Sequence, residues 1–363
     1  MAAVRVALTI EQCWHEVPGG TAVAALGMAR GVAAAGAEVV GVAARHRRLP
    51  PDPWAPPFEV RSLPLPRIAL YESWHRLRVP KVERATGRVD VVHATAFPMP
   101  PRSAPVVLTI HDLAWIDNPA HFTRRGLSFF RRGLDLARKD ADLVVVPSET
   151  TQRACLRHGF SEERVRVVPL GVDTVRATDE EVAAVKSRYG LTRPYVLWTG
   201  TVEPRKNLAG LLSAYRELRR DADLVLAGPK GWNEDLEALL GAERSGIHVL
   251  GFVPAADLSA LYRGAEVFCF PSFVEGFGFP VLEAMAQRTP VVTSAGTSTE
   301  EVASEAGILV DPRDPSSIAA GIAELLDDPQ RREELATAGA ERAASYTWDR
   351  TGRALVEAYE EVT

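Results

Sequence analysis

The chain has 363 residues, 46% hydrophobic and 25% charged, with a formal net charge of −5. That length suits two domains with a core each, and the composition is that of an ordinary globular protein rather than a disordered or fibrous one. No run approaches the roughly 18 uninterrupted apolar residues of a membrane-spanning helix, and the scattered Cys13, Cys155 and Cys269 form no CxxC pair, which argues against a disulfide framework or structural zinc and for a reducing cytoplasm.

The first half alternates β-like and helical segments. Residues 4–10 read as a strand, too β-like for a signal peptide. An Ala-rich helix over 21–35 ends at Gly36, and a strand over 38–44 follows. After a Pro-rich loop at 49–57 come a short strand at 58–65 and a helix over 71–85. Further strands are expected at 89–93 and 106–111, a helix at 125–139 and a strand at 143–147. Ser148 caps a helix that Gly159 closes, and 165–170 is the last strand of this half. A linker at about 171–192, with a polar helical piece over 179–189, leads to the second half.

There the pattern repeats. A strand at 195–199 precedes a helix in which Leu208, Leu211, Leu212, Tyr215 and Leu218 recur at helical spacing. Strands follow at 223–227, 247–253, 267–270, 290–293 and 308–310. Helices are expected at 235–242, 257–263, from Pro280 onward, at 316–326 and at 331–344, with a last helix over 348–361. The fold class is therefore α/β, with two doubly wound, Rossmann-like domains facing across a cleft and ligand bound at strand C-termini. The expected division is 1–175, onto which the C-terminal helix 346–363 packs back, and 176–345.

Two stretches in the second half carry chemistry. The first, 270–286, reads FPSFVEGFGFPVLEAMA. It sets Glu275 and Glu283 eight positions apart, around a Gly276-Phe277-Gly278-Phe279 turn and a helix start at Pro280. Glycine lets backbone approach a ligand, and a helix start suits phosphate. Alone, this stretch reads first as a plain strand-to-helix crossover with two surface glutamates. The second, GTVEPRKNL, runs from Gly200 and Thr201 through Arg205 and Lys206 to Asn207, the expected cap of the following helix. Two cations at a positive helix end are unfavourable without an anion, so a bound diphosphate is the better explanation. The domain has neither a GxxxxGK[ST] loop nor a GxGxxG fingerprint after its first strand, which lowers ATPase and dehydrogenase readings.

With these motifs, and with HDLAW at 111–115, VVPSE at 145–149, VVPLGVD at 167–173 and GILVDP at 307–312, the chain resembles the family-4 retaining glycosyltransferases of the GT-B fold over nearly its whole length. Glu275 and Glu283 match their E-x7-E signature. Among bacterial members it looks most like mannosyl- and rhamnosyl-type enzymes of polysaccharide or glycoconjugate synthesis. The resemblance implies that Arg205 and Lys206 hold the diphosphate of a GDP- or UDP-linked sugar, that Glu283 binds the ribose, and that Glu275 contacts the transferred sugar. It implies that backbone around Gly276, Phe277, Gly278 and Phe279 contacts sugar or phosphate, that Phe252 and Val253 pack on the base, and that Gly200 and Thr201 flank the phosphates. In the first half, Gly19 and Gly20 would let a helix start approach the diphosphate, and His111 would position donor or acceptor. Beyond this co-substrate no cofactor and no metal are expected.

Two departures stand out. Thr201 occupies a position where many relatives have Arg. Arg288 stands where a Gly usually follows the helix, at a cost of about 1 kcal/mol if that position is left-handed. The resemblance implies an acceptor that is a glycan, a lipid-linked or a small molecule. Residues 1–176 carry a net of +7 and the remainder −12. The basic, aromatic stretch at 122–132 suits a peripheral contact at the inner face of a membrane, although a core-facing helix with a solvated basic back is the favoured reading. Nucleic acid is not an expected partner. Rival readings are a sugar-nucleotide epimerase of the same architecture, a phosphorylase, which would need a pyridoxal lysine and a longer chain, or a non-catalytic sugar-nucleotide-binding module.

Overall fold

The computed structural model describes residues 3–363 except 17, 219, 220, 232 and 243, and the side chain of residue 121. The chain forms two compact units. Unit 1 holds residues 1–171 and 346–363, and unit 2 holds residues 172–345.

Unit 1 is a seven-stranded parallel sheet. Its strands are β1 (Arg5–Thr9), β2 (Glu38–Ala43), β3 (Val60–Ser62), β4 (Val91–Ala94), β5 (Val106–Thr109), β6 (Leu143–Val146) and β7 (Val165–Val167), ordered β3-β2-β1-β4-β5-β6-β7. Unit 2 is a six-stranded parallel sheet of β8 (Tyr195–Thr199), β9 (Asp223–Ala227), β10 (Ile247–Gly251), β11 (Val267–Phe270), β12 (Val291–Ser294) and β13 (Ile308–Val310), ordered β10-β9-β8-β11-β12-β13. The central strands are short Val-rich runs buried at every position, as in β6 (LVVV) and β11 (VFCF). Such runs need helices on both faces of the sheet, which only crossover connections supply. In each sheet the order reverses next to its first strand, at β1/β4 and at β8/β11. The loops leaving those strands part there, and the crevice between them is where open α/β sheets bind ligands.

Several strands end earlier than the hydrophobic pattern suggests: β5 at Thr109, β7 at Val167 and β10 at Gly251. That places His111 and Phe252 on loops. The helix expected over 71–85 is two pieces, Arg67–Arg76 and Glu83–Thr86, because Pro80 can neither donate a helical hydrogen bond nor fit the preceding turn. A polar helix, Ser298–Ala303, escapes the apolar periodicity altogether. Residues 179–189 form the expected helix, closed at its start by a Thr178–Glu181 capping box, and belong to unit 2 rather than to a linker. Arg288 does adopt φ +63°, and its guanidinium finds Glu333 and, at 2.9 Å, Thr337 Oγ1.

The C-terminal helix Trp348–Glu360 packs against Gly20–Ala34 at backbone contact. A Cβ on Gly352 would fall 2.0 Å from the Gly31 carbonyl, and one on Gly31 would fall 2.1 Å from the Trp348 oxygen. Tyr359 donates its hydroxyl proton or accepts one at His93 Nδ1, 2.7 Å away, in the sheet core.

Candidate active site

The site in unit 2 forms at the β8/β11 reversal. Leaving β8, the chain passes Gly200 and Thr201 and makes a 3-10 turn, Pro204–Lys206, before helix Leu208–Glu217. Asn207 joins turn to helix at φ 55°, and its Oδ1 accepts from Gly210 N. Its Nδ2 donates to the carbonyls of Pro271 (3.0 Å) and Pro312 (2.6 Å). A further bond runs from Phe273 N to the Arg205 carbonyl at 2.8 Å. The loops after β8 and β11 are therefore stapled by backbone and cap together.

Across this seam the charges meet. Lys206 Nζ lies 2.6 Å from Glu275 Oε1, and Arg205 Nη1 lies 3.0 Å from Glu275 Oε2. Arg205 Nη2 also reaches Glu203 Oε1 at 2.8 Å. Lys206, Glu203 and Glu275 are each less than one-tenth exposed, and the Lys206 ammonium sits 4.7 Å above the Phe270 ring. Burial would raise the Glu275 carboxyl, but the charges of Arg205 and Lys206 outweigh it and hold the group below the usual carboxylate range. Burial also raises Glu203, only partly offset by Arg205 and Lys206, and lowers Lys206 against the pull of Glu275. The two glutamates of the signature are thus not a pair of solvated surface groups. The anion that the cations require is supplied in this structure by the one carboxylate of Glu275, 69 positions from Lys206 and 70 from Arg205.

Helix Phe279–Ala286 starts on Gly278 at φ 119°, a conformation that a side chain would strain. Glycine also offers no side-chain cap there, unlike the Thr, Ser and Asp caps that open Arg124–Asp140, Glu149–Arg157 and Pro315–Asp327. Gly276, Phe277 and Gly278 are buried, and the Phe277 and Phe279 rings meet edge to face at 5.5 Å. One turn into the helix, Glu283 is partly exposed and accepts from the Tyr262 hydroxyl at 3.0 Å. Burial raises its carboxyl, and Asp173 adds to that, against Tyr262 and Lys206. At the end of β10, Phe252 is 63% exposed, while Val253 is buried.

In unit 1, Gly19 caps helix Gly20–Ala34 without a side chain, and a Cβ built on Gly19 would meet nothing within 4 Å. Among the described residues of the unit, none crowds that position. His111, past the end of β5, bonds through Nε2 to the Thr95 carbonyl at 3.0 Å. A carbonyl only accepts, so Nε2 carries the proton. Burial lowers the ring's pKa, so the neutral ring offers Nδ1 as an acceptor. Asp112 caps the following turn through Ala114 N. His93 is fully buried between Tyr359 and Thr109, its pKa pushed down to about 3, and belongs to the core.

The family model for Glycosyltransferase Family 4 matches residues 18–176, and that for Glycosyl transferases group 1 matches residues 179–342. The O-antigen chain mannosyltransferase B of Escherichia coli is 33% identical over 280 residues, 74% of each chain. The chain belongs to the family-4 glycosyltransferases. A D-inositol 3-phosphate glycosyltransferase of Salinispora arenicola is 32% identical over 317 residues, 77% of this transferase and 70% of the relative. The structure of Anabaena HepE in complex with UDP and glucose superposes with a TM-score of 0.77 at 18% identity, covering 99% of this chain and all of that one. The fold is accordingly GT-B, with two Rossmann-like domains on parallel sheets of seven and six strands.

Two residues of the candidate site lie outside the sequence reading. Glu203 sits inside the GTVEPRKNL run, and its contact with Arg205 is a local one, two positions apart. Tyr262 reaches Glu283 from the helix Ala255–Gly264, and no local pattern marks it.

Proposed function

We propose that this glycosyltransferase moves a hexose, mannose before others, from a GDP- or UDP-linked sugar to a glycan, lipid-linked or small-molecule acceptor, retaining anomeric configuration without a metal. The observation that carries this reading is the Arg205–Glu275–Lys206 cluster at the β8/β11 reversal. Its two cations suit a leaving diphosphate, whose growing charge they stabilise where water is scarce. Gly200, Thr201 and the Gly276–Phe279 backbone line that position, Glu283 takes the ribose hydroxyls, and the exposed Phe252, with Val253 beneath it, offers a face to the base. The preference for mannose leans on the mannosyltransferase named above.

Glu275 then contacts the transferred sugar. A carboxylate engaged on both oxygens by cations is a weak nucleophile, so its part is to hold the sugar and orient Lys206 rather than to attack the anomeric carbon. In unit 1 the glycine-capped helix start at Gly19 and Gly20 fits an anion, and His111 Nδ1 fits a sugar hydroxyl. The aromatic side of helix Arg124–Asp140 turns inward, Phe130 stacking on Trp115 at 5.7 Å and Phe129 on His75 at 4.5 Å. That leaves Arg124, Arg125, Arg131 and Lys139 exposed as the surface for any anionic membrane carrying the acceptor, and liposome flotation checks it. No helix among the described residues is long and apolar enough to cross a membrane.

A thermal-shift panel of GDP-, UDP- and dTDP-sugars tests the donor. Stabilisation by GDP- or UDP-sugars that survives Lys206→Ala and Glu283→Ala sinks the assignment of this site, and transfer abolished by EDTA sinks the metal-free mechanism.

A further inference from the structure

The proposed roles leave the buried Tyr262 hydroxyl unused. Tyr262, at the end of helix Ala255–Gly264, is 2% exposed. Its hydroxyl donates to Glu283 Oε2 at 3.0 Å and lies 2.7 Å from Thr199 Oγ1. An ionised carboxylate only accepts, so the single phenolic proton is committed to Glu283. Thr199 must then be the donor in the second bond. The result is a directed relay, Thr199 to Tyr262 to Glu283, starting at the last residue of β8.

Tyr262 is held from three sides. Its ring meets Phe268 of β11 edge to face at 5.1 Å. Its carbonyl accepts from Thr289 Oγ1 at 2.6 Å, just beyond the helix that carries Glu283. Thr199 fixes the hydroxyl itself. Glu283 Oε1, by contrast, takes no hydrogen bond from any described residue, and Glu283 is only partly buried. One carboxylate oxygen is therefore fixed and the other left for a ligand. The charged groups that act on Glu283 are Asp173, which opposes its ionisation, and Lys206, which favours it, alongside the Tyr262 hydroxyl.

We propose that Tyr262 is a positioning residue for donor recognition: with Thr199 behind it, it turns the Glu283 carboxylate so that Oε1 meets a hydroxyl of the nucleotide ribose. The inference rests on the reading of Glu283 as the ribose-binding group. Tyr262 touches no substrate, and its effect runs through Glu283 alone. Losing it costs donor affinity more than chemistry, and costs more as pH falls, because the lost proton donor favoured the ionised carboxylate.

The test uses the full chain, with calorimetric titration of GDP and UDP at several pH values and steady-state transfer. Tyr262→Phe is expected to weaken the preferred nucleotide about ten-fold, as loss of one charge-assisted hydrogen bond implies. The donor KM should rise in parallel, kcat should stay within about two-fold on the same reasoning, and the acid limb of binding should move to higher pH. Thr199→Val should repeat the effect in weaker form, and Thr199→Ser should restore it. Nucleotide affinity and acid limb unchanged in both Tyr262→Phe and Thr199→Val, while Glu283→Gln weakens binding, overturn the proposal. So does a kcat loss at unchanged KM. If Glu283→Gln also leaves affinity unchanged, the ribose reading of Glu283 is what fails. Should Tyr262→Phe not fold, the Thr199 pair decides alone.

Discussion

Glu275 and Glu283 share a signature yet sit in opposite electrostatic settings. Glu275 is held ionised by Lys206 and Arg205. A depressed carboxyl contributes stability above its unfolded pKa of about 4.3, and that stability is lost as pH falls through the folded value. Removing Lys206 leaves the buried Glu275 with Arg205 alone and its Oε1 unpaired, so Lys206→Ala should cost about 2 kcal/mol in urea unfolding at pH 7. The double variant Lys206→Ala with Glu275→Ala should cost less than the single one, and a larger loss in the double would show that burial of the pair is not what matters. Glu283 is raised by burial, so its sign is reversed. Its ionisation opposes folding above the raised value, and the penalty vanishes below about pH 4, where the unfolded carboxyl is also protonated. Glu283→Gln should therefore raise the melting temperature at pH 7, with the gain fading at pH 4, while nucleotide binding falls. An equal gain at both pH values would contradict this. Stability exchanged for function in this way is a common signature of binding sites.

At the level of elements, the decisive piece is the joint between β8 and helix Leu208–Glu217. Asn207 caps the helix, occupies the left-handed region and donates to two carbonyls on other loops. Asn tolerates that conformation better than most side chains. Asn207→Ala should cost about 2–3 kcal/mol, from a lost cap and two unpaired buried carbonyls. Because the same joint aims Arg205 and Lys206, transfer should fall more than the stability loss explains, as kcat measured well below the melting point will show. Transfer at the unsubstituted rate would mean that the turn holds its shape without the staple.

At the level of the whole molecule, the chain leaves unit 1 at residue 171 and returns to it at residue 346. Gly31 and Gly352 allow the returning helix to lie backbone to backbone on Gly20–Ala34. A methyl at Gly352 has no space, so Gly352→Ala should cost unit 1 about 3 kcal/mol. In scanning calorimetry the unit 1 transition should move down while the unit 2 transition stays. A shift of both by equal amounts would show that the two units unfold as one.

Much of this was legible from sequence because the signals are local. Val-rich runs at regular spacing announce buried parallel strands, Ser148 and Asn207 announce caps, and the Gly276–Pro280 turn announces a helix start with no side-chain cap. Pro80 also broke a helix as its chemistry requires, although the apolar pattern ran across it. Sequence could not fix the partners of charged and hydroxyl groups, because those lie tens of positions away and are chosen by strand order. The reversal at β8/β11 puts Glu275 on Lys206 and Arg205, so the anion sought at GTVEPRKNL came from the other motif. Strand order likewise brought Tyr262 and Thr199 to Glu283. The sequence by itself determined two parallel sheets, their capped helices and which loops carry charge. Only the tertiary structure decided which charges neutralise each other and which oxygen of Glu283 remains for a ligand, because hydrogen bonds and burial act between neighbours in space.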